Sequence, residues 1–257
     1  MRAVHKATGK QVVIKLLARK NTDAQNLDDS DETMQDESTV SSIETSEVAE
    51  LGLECMLEPY RNLNRRGGER ENLMSLSEYF MDADFIYFIR PFYNLGSLSN
   101  LMASSKLDKL TERELKVGAR FFFKAILTVH RAGFLHGDVR PQSIFLNRST
   151  ESGKMTLSIG EFERCCPIEM SADQLPHKEK ETARLLYLAP EAIQSEELGS
   201  TPASEVWSLG VTMYVLATGR YPFTTPEAIF QAELQWPKET PLSAEFKSLI
   251  AAMLEKE

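Results

Sequence analysis

The sequence predicts a segregated α+β protein in two lobes. Two observations carry this reading. Strand-type runs occupy the first third of the chain and helical runs the remainder, and 257 residues with 42% apolar side chains can bury one or two sizeable cores. No internal repeat interrupts the order.

The elements follow in sequence. Residues 3–18 read as a hairpin turning at Thr8-Gly9-Lys10, its second strand carrying the β-branched run Val12-Val13-Ile14 before Lys15 and Leu16-Leu17. Residues 44–63 place Val48, Leu51, Cys55 and Leu57 at helical spacing, and the loop NRRGGEREN follows. Two strands come next, from Met74 to Phe80 and from Phe85 to Phe92. After Asn94-Leu95-Gly96 the pattern turns helical. Ser97–Ser104 gives a short helix, and residues 111–133 form a long one with Ala119, Phe122, Ile126 and Val129 on one face. Residues 203–219 form an apolar helix that stops at Gly219.

Composition excludes several classes of function. The formal charge of −9 is local: residues 21–50 hold ten Asp or Glu and no Lys or Arg, and without them 28 acids face 29 bases. A near-neutral body offers no footprint for nucleic acid, and an acidic stretch repels phosphate. The acidic segment is rich in Ser, Thr, Asp and Glu, and its burial cannot offset its ordering entropy, so residues of about 20–46 read as a disordered insertion. Thr33 and Ser41 each precede an acid by three positions, the pattern acid-directed kinases favour. No apolar run approaches the roughly 18 residues of a membrane span, and the first residues lack a signal-peptide core. The three cysteines, Cys55, Cys165 and Cys166, have no metal-ligand spacing, and the adjacent pair bridges only with strain. The expectation is a cytoplasmic or otherwise intracellular protein with neither zinc nor disulfides.

Reading outward from HGDVRPQSIF at 136–145, the order VVIK, HGD, EFE, APE and EVWSLG resembles the protein kinases, whose signatures include V-A-I-K, H-R-D, D-F-G and A-P-E. The resemblance runs from Val4 to Glu257 and takes in FIYFIRPFYNLGSL and TGRYPF. It implies an N-lobe of residues 1–92, a small antiparallel sheet with one main helix, and a mainly helical C-lobe of residues 93–257. Within the C-lobe it implies a catalytic-loop region at 136–146 and an activation segment at 161–191. Only a strand precedes Lys15 where the family has its glycine-rich loop, and the chain stops at FKSLIAAMLEKE where the family continues into further helices, so both ends are expected to be incomplete.

Carried over residue by residue, the resemblance makes Lys15 the phosphate lysine, Asp138 the catalytic base and Arg140 its cationic neighbour. It makes Glu50, among the three candidates Glu47, Glu50 and Glu54, the helix acid that holds Lys15. Val13, Arg90, Phe92 and Phe145 fall in the nucleotide pocket, where Val13 replaces an alanine and Arg90 brings a charge that needs a partner in Glu50 or Glu161. The metal positions become Glu161, where D-F-G has Asp, and Ser143, where the family has Asn. Glu161 carries one methylene more than Asp, which shifts its oxygens by roughly 1 Å, and Glu163 replaces a glycine beside it. Arg184 stands where Ser/Thr kinases have a Thr near the base, Gly137 replaces the Arg of H-R-D, and Glu205 replaces the usual Asp. His130 and His136 take structural roles, His136 against Phe162.

The implied function is a pseudokinase, a scaffolding or allosteric module with weak or no phosphotransfer. Its alternatives are an active Ser/Thr protein kinase and an ATP-binding switch without turnover. ATP and Mg2+ are the cofactors if it is active, and none is needed otherwise. The implied partners are a protein partner or protein substrate, and neither nucleic acid nor a membrane.

Overall fold

The structure is a computed structural model that describes residues 1–18, 53, 57–61, 72–104, 110–169, 182–194, 201–231 and 233–256. The acidic segment, Glu47, Glu50 and Glu54 lie outside the described residues. The chain divides into two compact units, one drawn from Met1–Glu54 and Ser75–Phe92, the other from Cys55–Met74 and Tyr93–Glu257.

In the first unit, β1 (Arg2–Val4) and β2 (Gln11–Ala18) form the expected hairpin. The His5 amide donates to the Lys10 carbonyl at 2.9 Å and the Gly9 amide to the His5 carbonyl at 2.8 Å, which closes the turn. β3 (Glu78–Met81) and β4 (Phe85–Pro91) complete a four-stranded antiparallel sheet in the order β1-β2-β4-β3. β-Branched and aromatic residues along β2 and β4 suit a pleated, half-buried surface. Val12, Leu17, Ile86, Phe88 and Ile89 are its buried apolar side chains.

The sequence places a strand from Met74, but pairing begins only at Glu78. Leu73 bridges in parallel to Ile159, and the Met74 amide donates to the Ile159 carbonyl at 2.7 Å. A tertiary hydrogen bond therefore takes these residues into the second unit and overrides their local preference.

The second unit is mainly helical. Ser97 caps α1 (Leu98–Ala103), and Thr111 and Glu114 form a reciprocal capping box on α2 (Glu112–Arg131). Ala119, Phe122, Ile126 and Val129 are all buried, as the 3.6-residue period requires. Short strands run between the helices: β5 (Gly96–Ser97), β6 (Phe134–Leu135), β7 (Ile144–Arg148), β8 (Met155–Ile159) and β9 (Cys166–Pro167). Two pairings matter for the site, β7 with β8 and β6 with β9. α3 (Thr182–Leu185) and α4 (Pro190–Gln194) lead to α5 (Pro202–Thr218), capped at its C-terminus by Gly219. α5 is apolar all round and buried all round, with Trp207, Leu209, Tyr214 and Leu216 each at most 4% exposed. α6 (Pro226–Gln231) and α7 (Ala244–Met253) close the described chain.

One long-range tie anchors α7. Glu112, at the start of α2, accepts from the Ser243 hydroxyl at 2.8 Å and from the Ser243 amide, and pairs with Lys116. Lys116 first, then the two Ser243 donors, hold its carboxyl at about 2, well below the ordinary 4.5. A carboxyl depressed in the folded state stabilises it fully above the ordinary range, and that contribution is lost as pH falls through the depressed value. We expect acid titration to loosen the α2–α7 tie between about 4.5 and about 2. Glu112→Gln should flatten the decline of the melting temperature in that interval, whereas parallel wild-type and variant curves would refute the tie.

Candidate active site

In the first unit, β2 and β4 are antiparallel neighbours, and directly opposed residues share a face of the sheet. Val13 opposes Arg90 and Lys15 opposes Phe88, so Val13, Lys15 and Arg90 lie on one face. Lys15 is half-buried, and Arg90 is only 6% exposed although it carries a guanidinium. The Arg2 guanidinium sits 4.2 Å from the centre of the Phe92 ring and donates to Gln11 Oε1 at 2.6 Å.

The second unit builds the remaining positions around residues 136–143. His136 is fully buried, its ring 5.0 Å from Phe162. Its Nε2–H donates to the Gly160 carbonyl at 2.8 Å, so Nδ1 is left to accept from the Asp138 amide at 3.3 Å. Both roles require the neutral Nε2–H tautomer, and together they orient the backbone that presents Asp138.

The Asp138 carboxylate is 10% exposed and flanked by two guanidinium groups. Arg140 Nε donates to Oδ2 at 3.0 Å and lies 2.9 Å from Oδ1. Arg184, on α3, places its Nε 3.7 Å from Oδ1 while its terminal nitrogen donates to the Gly137 carbonyl at 2.9 Å. Tyr187 lies close by, its phenol pushed far up by burial and by its hydrogen bond with Tyr221, so it stays protonated.

Ser143 is fully buried in the short 3-10 turn Pro141–Ser143. Its hydroxyl donates to the Arg140 carbonyl at 2.8 Å and accepts from the Arg140 amide at 3.2 Å. Glu161 takes left-handed backbone angles, φ 64° and ψ 52°, and is the single non-glycine residue among those described with positive φ. Such a conformation costs on the order of 1–3 kcal/mol and persists where the surroundings impose it. Phe145 lies 5.6 Å from Tyr93, ring to ring.

Buried acid chemistry fixes this loop from beneath. Glu205 on α5 is 2% exposed, accepts from the Gly137 amide at 2.5 Å, and meets His130 Nε2 at 2.7 Å. Thr212 donates to the Val139 carbonyl at 3.4 Å and Ser208 to the Tyr187 carbonyl at 2.8 Å. α5 therefore tethers the Asp138 loop and the Arg184–Tyr187 stretch to one rigid helix. The tie from Glu205 to the loop is absent from the sequence reading. Its one sequence signal is a lone acid at the head of an apolar helix, which needs a buried partner.

The structure thus brings Asp138, Arg140 and Arg184 together, and separately Val13, Lys15 and Arg90. Glu50 is outside the described residues. Among the described residues no group of three or more His, Cys, Asp or Glu side chains could hold a metal ion.

A family model described as "Protein kinase domain" matches residues 57–257. The chain belongs to the protein kinase family. It is 28% identical over 193 residues to the serine/threonine-protein kinase PLK2 of Mus musculus, covering 72% of this chain and 26% of that protein. It is also 28% identical over 189 residues to the cell cycle serine/threonine-protein kinase CDC5/MSD2 of Saccharomyces cerevisiae, covering 71% of this chain and 25% of that protein. The chain thus spans about a quarter of the length of these curated relatives. As a member of the family it has the α+β kinase fold, with its antiparallel sheets and several helices. No helix among the described residues is long and apolar enough to cross a membrane.

Proposed function

We propose that this kinase domain is a pseudokinase that works by engaging a protein partner, with weak or no phosphotransfer. The observation that carries the reading is Arg184 on the Asp138 carboxylate and the Gly137 carbonyl. A general base must face the proton it removes, and the Arg184 guanidinium, 3.7 Å from Oδ1, competes with a substrate hydroxyl for that oxygen. In this reading the lobes divide at residues 92 and 93, Lys15 and Asp138 keep the positions of the phosphate lysine and the base without the positioning that turnover needs, and the domain is intracellular.

The metal positions support the same reading. ATP and Mg2+ supply the transferred phosphoryl group and its charge neutralisation where a kinase is active. The Ser143 hydroxyl is buried and engaged in both directions by Arg140, so it does not fit a cation. Val13, Arg90 and Phe92 would contact nucleotide, and the bulk of Val13 and of the buried Arg90 side chain on that face narrows the space for it.

A second reading, an active Ser/Thr kinase, rests on the retained Lys15, Asp138 and Arg140 and on the strained backbone of Glu161, since strain of that kind gathers at working sites. An ATP-binding switch would need nucleotide affinity but no turnover.

Thermal-shift titration with ATP, with and without Mg2+ or Mn2+, separates these readings, because a ligand of the native state raises its melting temperature. We expect no shift at millimolar nucleotide. A metal-dependent shift abolished by Lys15→Ala would overturn the proposal in favour of a kinase or switch. Phosphotransfer by Arg184→Thr, blocked again by adding Asp138→Asn, would show that Arg184 is the block.

A further inference from the structure

We propose that the exposed face of α2 is a docking surface for an acidic peptide that carries one apolar anchor. An α-helix turns about 100° per residue, so Arg113, Lys116, Val117, Arg120, Lys124 and Leu127 fall within an arc of about 100°. All six are exposed, Val117 at 64% and Leu127 at 46%. The buried stripe of Leu115, Ala119, Phe122, Ile126 and Val129 faces the core, so packing of the unit does not need this face.

Three features distinguish it from an ordinary solvated face. Lys116 pairs with Glu112, but among the described residues Arg113, Arg120 and Lys124 make no ion pair or hydrogen bond. Arg113 also lies in the first turn of α2, where the helix dipole favours anions, so an unpaired cation there works against the helix. Arg113, Lys116, Val117 and Arg120 lie side by side on this face, with Val117 as the apolar wall between the cations. Three uncompensated cations around an apolar wall match carboxylates flanking one aliphatic side chain. A nucleic acid is a poorer match, because a phosphate backbone has nothing to place against the exposed Val117 and Leu127. The inference is independent of whether the domain binds ATP or transfers phosphate, and its test reads neither.

The test uses the full chain and a fluorescein-labelled peptide of Asp and Glu with a single central Leu, followed by fluorescence anisotropy. Binding is expected to weaken with salt and to fall by about tenfold or more in Arg113→Glu/Arg120→Glu/Lys124→Glu. Replacing the peptide Leu by Ser, or Val117 by Asp, should each lower affinity about threefold or more through the lost apolar contact. These positions are exposed, and Arg113→Glu suits the helix dipole, so the melting temperature should hold while binding is lost. Absent binding, binding indifferent to the triple reversal, or equal binding of a single-stranded oligonucleotide overturns the proposal. Binding that appears only after the acids of residues 21–50 are replaced by amides also overturns it, and assigns the face to the chain's own acidic segment.

Discussion

Gly137→Ala is expected to destabilise the protein by about 2–5 kcal/mol, and Gly137→Arg, which restores the side chain that most kinases carry there, by more. A Cβ at position 137 would stand 2.2 Å from the Arg164 backbone oxygen and 3.0 Å from its carbonyl carbon, and Gly137 has φ 75°. Neither chain can withdraw. β6 ends at Leu135 and pairs with β9, with Leu135 opposite Cys166, and Cys165 and Cys166 are both buried. The Gly137 amide is fixed as well, by Glu205. Gly133 is the control, because it has φ 91° and open space at its Cβ position. Gly133→Ala should cost only the left-handed backbone preference, roughly 1–2 kcal/mol. Urea denaturation of both variants measures the difference, and equal losses would mean that the contact with Arg164 is not rigid. The glycine at position 137, where H-R-D has an arginine, is thus tied to the path of the chain.

The second large effect is at Glu205. Removing it leaves the Gly137 amide without its buried acceptor and His130 without its partner, and Glu205→Ala should cost roughly 1–3 kcal/mol for each group left unsatisfied. Glu205→Gln keeps the volume and one acceptor oxygen and should cost about half as much. In a double-mutant cycle with His130→Ala the two losses should be markedly non-additive, because the residues meet at 2.7 Å. Additive losses would exclude the shared network. Because Glu205 holds the residue beside Asp138, any ligand effect that depends on Asp138 should weaken in Glu205→Ala even where the protein remains folded.

Much of the fold was legible from residue pattern. The hairpin at Thr8-Gly9-Lys10, the core face of α2 and the all-round apolar α5 each follow from a period or a turn residue read within a few positions. Harder to read were places where a distant partner outbids a local preference. Met74 belongs to a strand-like run, yet its amide goes to Ile159. Glu112 looks like an ordinary first-turn acid, yet it holds Ser243, 131 residues away.

The candidate site divides in the same way. Motif order along the chain pointed to Lys15, Asp138, Arg140, Ser143, Glu161 and Arg184 as candidates, since the spacing of residue types needs no coordinates. Their present engagements were another matter. That Ser143 closes on Arg140, that His136 is held in one tautomer between Gly160 and Asp138, and that Glu205 reaches the Gly137 amide depend on which side chains a fold brings within 3 Å or so, the range of a hydrogen bond. Sequence by itself determined the elements, the family pattern and the substitutions in it, because periodicity and spacing are local. Only the tertiary structure decided what those residues touch, because burial, closed hydrogen bonds and the close approach of Gly137 to Arg164 are set by segments far apart in the chain.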